Sequence, residues 1–163
     1  MPLETRGSEV LRLSDGKMYR NSRSVGNIGE SIAIAEFVKR GIPVFTPFGQ
    51  NSPVDMLVYI NEKFVKIQVK TTEEIKKGKM IFDICRTNGF TGENKKYTKD
   101  EVDYFFLYCV ENDFKGLISF EELSPRYTLC IRCDKAKNGQ TKGINDIDTY
   151  QFDNRMKLLL EAE

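Results

Sequence analysis

Pro53-Val-Asp55, Met56-Leu-Val-Tyr-Ile60, Asn61-Glu-Lys63 and Phe64-Val-Lys-Ile-Gln-Val-Lys70 read in order as an acid at a strand mouth, a strand, a turn and a second strand. The first run is rich in the β-branched and aromatic residues that suit a pleated surface. In the second run Val65, Ile67 and Val69 alternate with Phe64, Lys66, Gln68 and Lys70, so the two sets point to opposite faces. A short polar turn makes the pair a hairpin. The hairpin brings Asp55, at the start of the first strand, beside Gln68 and Lys70, at the end of the second. An acid, a neutral oxygen donor and an ammonium then converge at one end of a sheet.

That grouping suits a hard cation. Mg²⁺ takes oxygen ligands, few of them from protein. Asp55 supplies a charged oxygen and Gln68 a neutral carbonyl, while the Lys70 ammonium orients water or stabilises charge on a phosphate. Alternation alone is equally the pattern of two amphipathic strands with a solvated outer face.

The residues resemble a known family. Pro53-Val-Asp55 followed by Gln68-Val-Lys70 looks like the PD-(D/E)xK nuclease signature. Gly26-Asn-Ile-Gly-Glu30, Pro47-Phe-Gly49, Asp55 and Ile67-Gln-Val-Lys-Thr71 together resemble one branch, the intron-encoded homing endonucleases and their phage and bacterial relatives. Asp103-Tyr-Phe105 and the stretch from Ile131 through Gln140 extend the likeness, which runs from Val25 to Phe152. Gln68 stands where the second acid of the motif usually sits, and the homing branch is similar in tolerating glutamine there. The resemblance implies an α/β fold, with a restriction-endonuclease-like core in which a helix precedes a mixed central β-sheet. It implies Mg²⁺-dependent, site-specific cleavage of double-stranded DNA by a homodimer or homotetramer. It makes Asp55, Gln68, Lys70 and Glu30 the catalytic set, and adds the backbone carbonyl of Val69 to Asp55, Gln68 and Glu30 as metal ligands. The rival readings are a junction-type, structure-specific nuclease, and a DNA-binding module that keeps the fold without cutting.

Composition bounds these readings. At 163 residues the chain is one domain's length, with 25 basic and 24 acidic residues. So balanced a charge places any DNA contact in local basic groups. There is no histidine, which excludes histidine bases and histidine metal ligands. Cys130-Ile-Arg-Cys133 has a C-x-x-C spacing, but on a strand those positions face opposite ways, against a zinc site. The polar start carries no secretory signal, and no run approaches membrane-spanning length, so the expected compartment is the cytoplasm, without membrane contact.

Along the chain, residues 1–24 form a basic arm or a small hairpin around Asp15-Gly16, with Arg20 and Arg23 as candidate DNA contacts. Residues 25–163 form the nuclease-like domain. A helix is expected over Asn27–Arg40, stopped by Gly41. Asn27 and Glu30 have the spacing of a capping box, which competes with a metal role for Glu30. The loop holding Gln50 and Asn51 sits beside the site. Further strands are expected over 42–48, 79–86, 102–110 and 114–120, with Tyr104, Phe105 and Phe106 in the core or at a subunit interface. Two basic loops complete the candidate DNA surface. One spans 88–99 with Lys95, Lys96, Tyr97 and Lys99; the other carries Lys135, Lys137 and Lys142. A closing helix over Asn154–Ala162 buries Met156, Leu159 and Leu160 and offers Leu158 to a partner.

Overall fold

The structure, a computed structural model, describes residues 21–49, 52–88, 90–123, 127–134 and 145–161. Residues 1–20 of the expected N-terminal arm, Arg20 among them, the loop residues Gln50 and Asn51, and Lys135, Lys137 and Lys142 lie outside the described residues, while the last residues of that arm, 22–24, belong to the first helix.

A helix, α1 (Ser22–Lys39), opens the described chain. It begins earlier than Asn27, because Asn21 is the cap: its Oδ1 accepts from the Ser24 N–H at 2.8 Å. The capping-box reading of Asn27 and Glu30 is therefore corrected, and Glu30 lies well inside the helix. The chain then forms β1 (Val44–Phe45), β2 (Met56–Ile60) and β3 (Lys63–Thr72). Ile60 pairs with Lys63, so the turn is Asn61-Glu62 alone. Both residues have positive φ, 48° and 62°, as a two-residue hairpin turn of this hand requires. After β3 come β4 (Lys79–Asp83), β5 (Cys85–Thr87) and β6 (Asn94–Lys96). The single strand expected over 79–86 is thus two. The expected loop over 88–99 contains a strand, β6, that pairs with β5.

The chain returns through β7 (Tyr104–Cys109) and β8 (Phe114–Ser119), a short helix α2 (Phe120–Leu123) and β9 (Thr128–Arg132). A 3₁₀ turn (Ile147–Tyr150) leads into α3 (Phe152–Glu161). The main sheet has the order β1-β2-β3-β7-β8. Its β3–β7 pair is parallel and the others are antiparallel. The α/β class and the mixed central sheet after a helix are as expected.

Both faces of β7 are buried, which is why its sequence is an unbroken apolar run. Phe106 and Tyr108 join Ile67 and Val69 in the core beneath α1 and α3. Phe105, Leu107 and Cys109 face the other way, into a second core covered by β4 and β9. Phe105 and Phe106 are fully buried, so they are core residues and not interface. Rings of Phe37, Phe106 and Phe152 lock α1, the sheet and α3 together, with centroid separations of 5.1–6.2 Å. Such pairs add about 0.5–1.5 kcal/mol each beyond area burial. On α3, Met156 is buried and Leu159 packs on the core. Leu160 is exposed with Leu158, a correction to its expected burial. No helix among the described residues is long and apolar enough to cross a membrane.

Candidate active site

Antiparallel register carries Asp55 to the far end of β3. Its own N–H donates to the Ile67 carbonyl at 3.0 Å, which anchors its backbone to that strand. Its Oδ2 then accepts from the Val69 N–H at 2.8 Å and from Gln68 Nε2 at 2.6 Å. Oδ1 accepts no hydrogen bond among the described residues. Gln68 Nε2 also approaches the Val69 carbonyl at 3.4 Å. The amide nitrogen thus stands between two acceptor oxygens, and a half-turn of the amide would present Oε1 there instead. The Lys70 ammonium donates to the Cys85 carbonyl at 2.9 Å and lies 4.9 Å from the centre of the Tyr97 ring. Both feet of the β5–β6 hairpin therefore grip Lys70.

Glu30 reaches the same place from α1. A cavity of about 430 Å³ is lined by Gly26, Glu30, Asp55, Gln68, Val69 and Lys70, among others. A second hollow of about 630 Å³ lies between α1 and the loop before β2; Arg23, Asn27, Thr46 and Ser52 line it. Glu30 and Asp55 border both.

Burial dominates the electrostatics. It raises the pKa of Asp55 above the ordinary carboxylate value, against the pull of the Val69 N–H, Lys70 and Gln68. Burial raises Glu30 too, and the charge of Asp55 adds to the effect. Lys70 is lowered by burial, with Asp55 opposing. Two desolvated acids that face one cavity are a site that gains from a cation.

The expected set Asp55, Gln68, Val69, Lys70 and Glu30 is thus brought together. Arg23 is exposed at the rim of the larger hollow. Lys95 is exposed on β6, and the Lys96 ammonium lies 4.5 Å from the Tyr127 ring centre. Lys99 is exposed and bonded to Glu121. Tyr97 is corrected: it is buried in the second core, not displayed toward a phosphate backbone. Arg86 was not apparent from the sequence. It stacks 5.2 Å from Tyr97 on the side chain that also holds Lys70, and its Nη2 donates to Glu101 at 2.6 Å. A lone arginine at the end of the strand expected over 79–86 carries no pattern that would have marked it.

No group of three or more histidine, cysteine or acidic residues is arranged to hold a metal among the described residues. The donor set here is instead two carboxylates, Glu30 and Asp55, with neutral oxygens from Gln68 and the Val69 carbonyl. Such a set fits a hard, oxygen-seeking divalent cation. Of the four cysteines, all are free, and Cys130 is exposed while Cys109 is buried.

A helix against a mixed five-stranded sheet, with an acid, a glutamine and a lysine at one strand end, defines a restriction-endonuclease-like fold. The chain belongs to the PD-(D/E)XK endonuclease family, whose model matches residues 20–153. Its fold is similar to that of I-Ssp6803I, a bacterial homing endonuclease, with a TM-score of 0.70 at 20% identity, covering 87% of this chain and 95% of that one. No curated protein sequence matches the chain.

Proposed function

We propose that this nuclease is a Mg²⁺-dependent endonuclease that hydrolyses phosphodiester bonds in double-stranded DNA at a defined site. The observation that carries the reading is the convergence of Asp55 and Glu30, both desolvated, with half-buried Lys70 on one cavity. Asp55 and Glu30 offer charged oxygens, and Gln68 and the Val69 carbonyl neutral ones. A divalent cation held by these oxygens would supply positive charge at the scissile phosphate and would make water there more acidic. Lys70, fixed by Cys85 and Tyr97, orients the attacking water or neutralises charge growing on the phosphate. Its lowered pKa eases the exchange of a proton with that water.

Arg23, Lys95 and Lys96 lie on elements that flank the site and are assigned to phosphate contact, with Arg20, Gln50, Asn51, Lys99, Lys135 and Lys137 completing the proposed DNA surface. A homodimer or homotetramer matches the two strands of a duplex with two sites. Candidate apolar contacts are Leu158 and Leu160 of α3, and the exposed cluster of Phe45, Tyr59 and Phe64, whose rings lie 5.1–5.4 Å apart.

The test is supercoiled plasmid incubated with Mg²⁺ or with EDTA. Nicking or linearisation in Mg²⁺ alone supports the reading. A second reading, DNA binding without cutting, draws on Gln68, whose donor orientation and missing charge leave the site one anion short of the usual motif. Retarded but intact DNA in Mg²⁺ favours it.

A further inference from the structure

We infer that Gly29 is a positioning residue, whose absent side chain lets α1 settle on Thr71 and thereby sets the separation of Glu30 from Asp55. The inference rests on the reading of Glu30 and Asp55 as cation-holding acids.

Gly29 is buried in the middle of α1, a place where glycine weakens a helix relative to alanine. A Cβ added there would overlap Thr71 Oγ1, and would lie 3.1 Å from Thr71 Cβ and 3.3 Å from Val69 Cγ1. The helix backbone thus rests directly on β3. At Gly26, three residues earlier on the same helix, a Cβ would meet nothing within 4 Å. The close approach is therefore local to Gly29 and not a property of the whole helix.

Thr71 Oγ1 is buried and has no hydrogen-bond partner among the described residues. The Gly29 Cα–H that replaces the missing Cβ points at that oxygen, the geometry of a weak Cα–H···O contact. Thr71 is β-branched, so its χ1 has little freedom to swing the hydroxyl aside. A side chain at position 29 is relieved chiefly by lifting the helix.

Lifting matters because of what neighbours the contact. Glu30 follows Gly29 directly and is the acid that α1 contributes to the cavity. Val69, whose side chain meets the same spot, holds Asp55 Oδ2 through its N–H. A displaced helix carries Glu30 away while the clamp on Asp55 stays in β3. The two acids come from different elements, and at Gly29–Thr71 the helix backbone lies directly against the strand.

The experiment compares wild type, Gly29→Ala, Thr71→Ala and the double variant, with Thr71→Val as a milder push from the strand side. Each is melted without metal, titrated with Mn²⁺ by the electron-paramagnetic-resonance signal of the free ion, and assayed for plasmid cleavage. Gly29→Ala is expected to weaken Mn²⁺ binding by about 10–100-fold, the range for a residue that orients metal ligands. The double variant should regain most of that loss, a coupling that separate structural defects would not produce. Thr71→Ala alone should stay near wild type. A folded Gly29→Ala protein with wild-type Mn²⁺ affinity overturns the inference while leaving the nuclease reading intact. So does a double variant no better than Gly29→Ala. If Gly29→Ala does not fold, Thr71→Val decides: weakened Mn²⁺ binding supports the inference and unchanged binding overturns it. Wild type that neither binds Mn²⁺ nor cuts DNA overturns the nuclease reading, and this inference with it.

Discussion

Replacing Gln68 by glutamate converts the site to the usual two-acid pattern, and its cost follows from the geometry. Gln68 is 9% exposed, and its Nε2 lies 2.6 Å from Asp55 Oδ2. The introduced carboxylate, if ionised, would stand about 3 Å from that of Asp55, where repulsion at an effective dielectric near 20 is about 5.5 kcal/mol. Taking up a proton costs less. Keeping a carboxyl of ordinary pKa about 4.3 protonated at pH 7 costs about 3.7 kcal/mol. The proton also restores a donor to Asp55. Folding therefore raises the pKa of the new glutamate, so the folded chain holds a proton that the unfolded chain releases, and stability falls as pH climbs above about 4.3. Relative to wild type, the metal-free variant should lose up to about 3.7 kcal/mol at pH 7 but only about 1 kcal/mol at pH 5. Mg²⁺ should reverse the sign, because a charged oxygen ligand replaces a neutral one. At a hundred times its dissociation constant, bound metal stabilises by about 2.7 kcal/mol. The variant should reach that gain at a lower Mg²⁺ concentration. Urea unfolding followed by circular dichroism, from pH 5 to 8 with and without Mg²⁺, measures both effects. A deficit that is flat with pH, or an Mg²⁺ response equal to wild type, would refute the placement of Gln68 against Asp55.

Lys70→Ala should cut the cleavage rate by at least about 10²–10³-fold, as loss of one preorganised charge at a reacting centre does, with DNA retardation on gels changed only a few-fold. Gly26→Ala fills open space on α1 and should raise stability by about 0.4–1 kcal/mol in thermal melts, the opposite direction to Gly29→Ala. Neutralising Lys95 and Lys96 together should flatten the log–log salt dependence of DNA binding by about 0.9 for each phosphate left without its lysine, without altering sequence preference; an unchanged slope would remove β6 from the DNA surface.

The hairpin and its polar end were readable because alternation is a local property. Val65, Ile67 and Val69 name the buried face, and antiparallel pairing then places Asp55 beside Gln68 and Lys70. Likewise the unbroken run around Phe105 and Phe106 announced a strand buried on both faces. What escaped depends on contacts between distant residues. The start of α1 has no apolar periodicity over Ser22-Arg-Ser24; the Asn21 cap alone sets it. Asn94-Lys-Lys96 has weak strand propensity and becomes β6 because Cys85–Thr87 offers an edge and Tyr97 is buried beside it. Leu160 fits the apolar face of a helix on paper, but α3 leaves it in solvent. The glycine at position 29 is plain in the sequence, while its reason, Thr71, is 42 positions away.

The central claim is that Asp55 heads a metal-dependent DNA-cutting site with a preferred sequence. Sequencing the ends that wild type and Asp55→Asn generate from a random duplex library, in Mg²⁺ and in EDTA, tests it most directly. Wild type in Mg²⁺ should give one recurrent cut sequence, and neither EDTA nor the variant should permit cutting. Equal cutting by Asp55→Asn, or no cutting by wild type at any Mg²⁺ concentration, would contradict it.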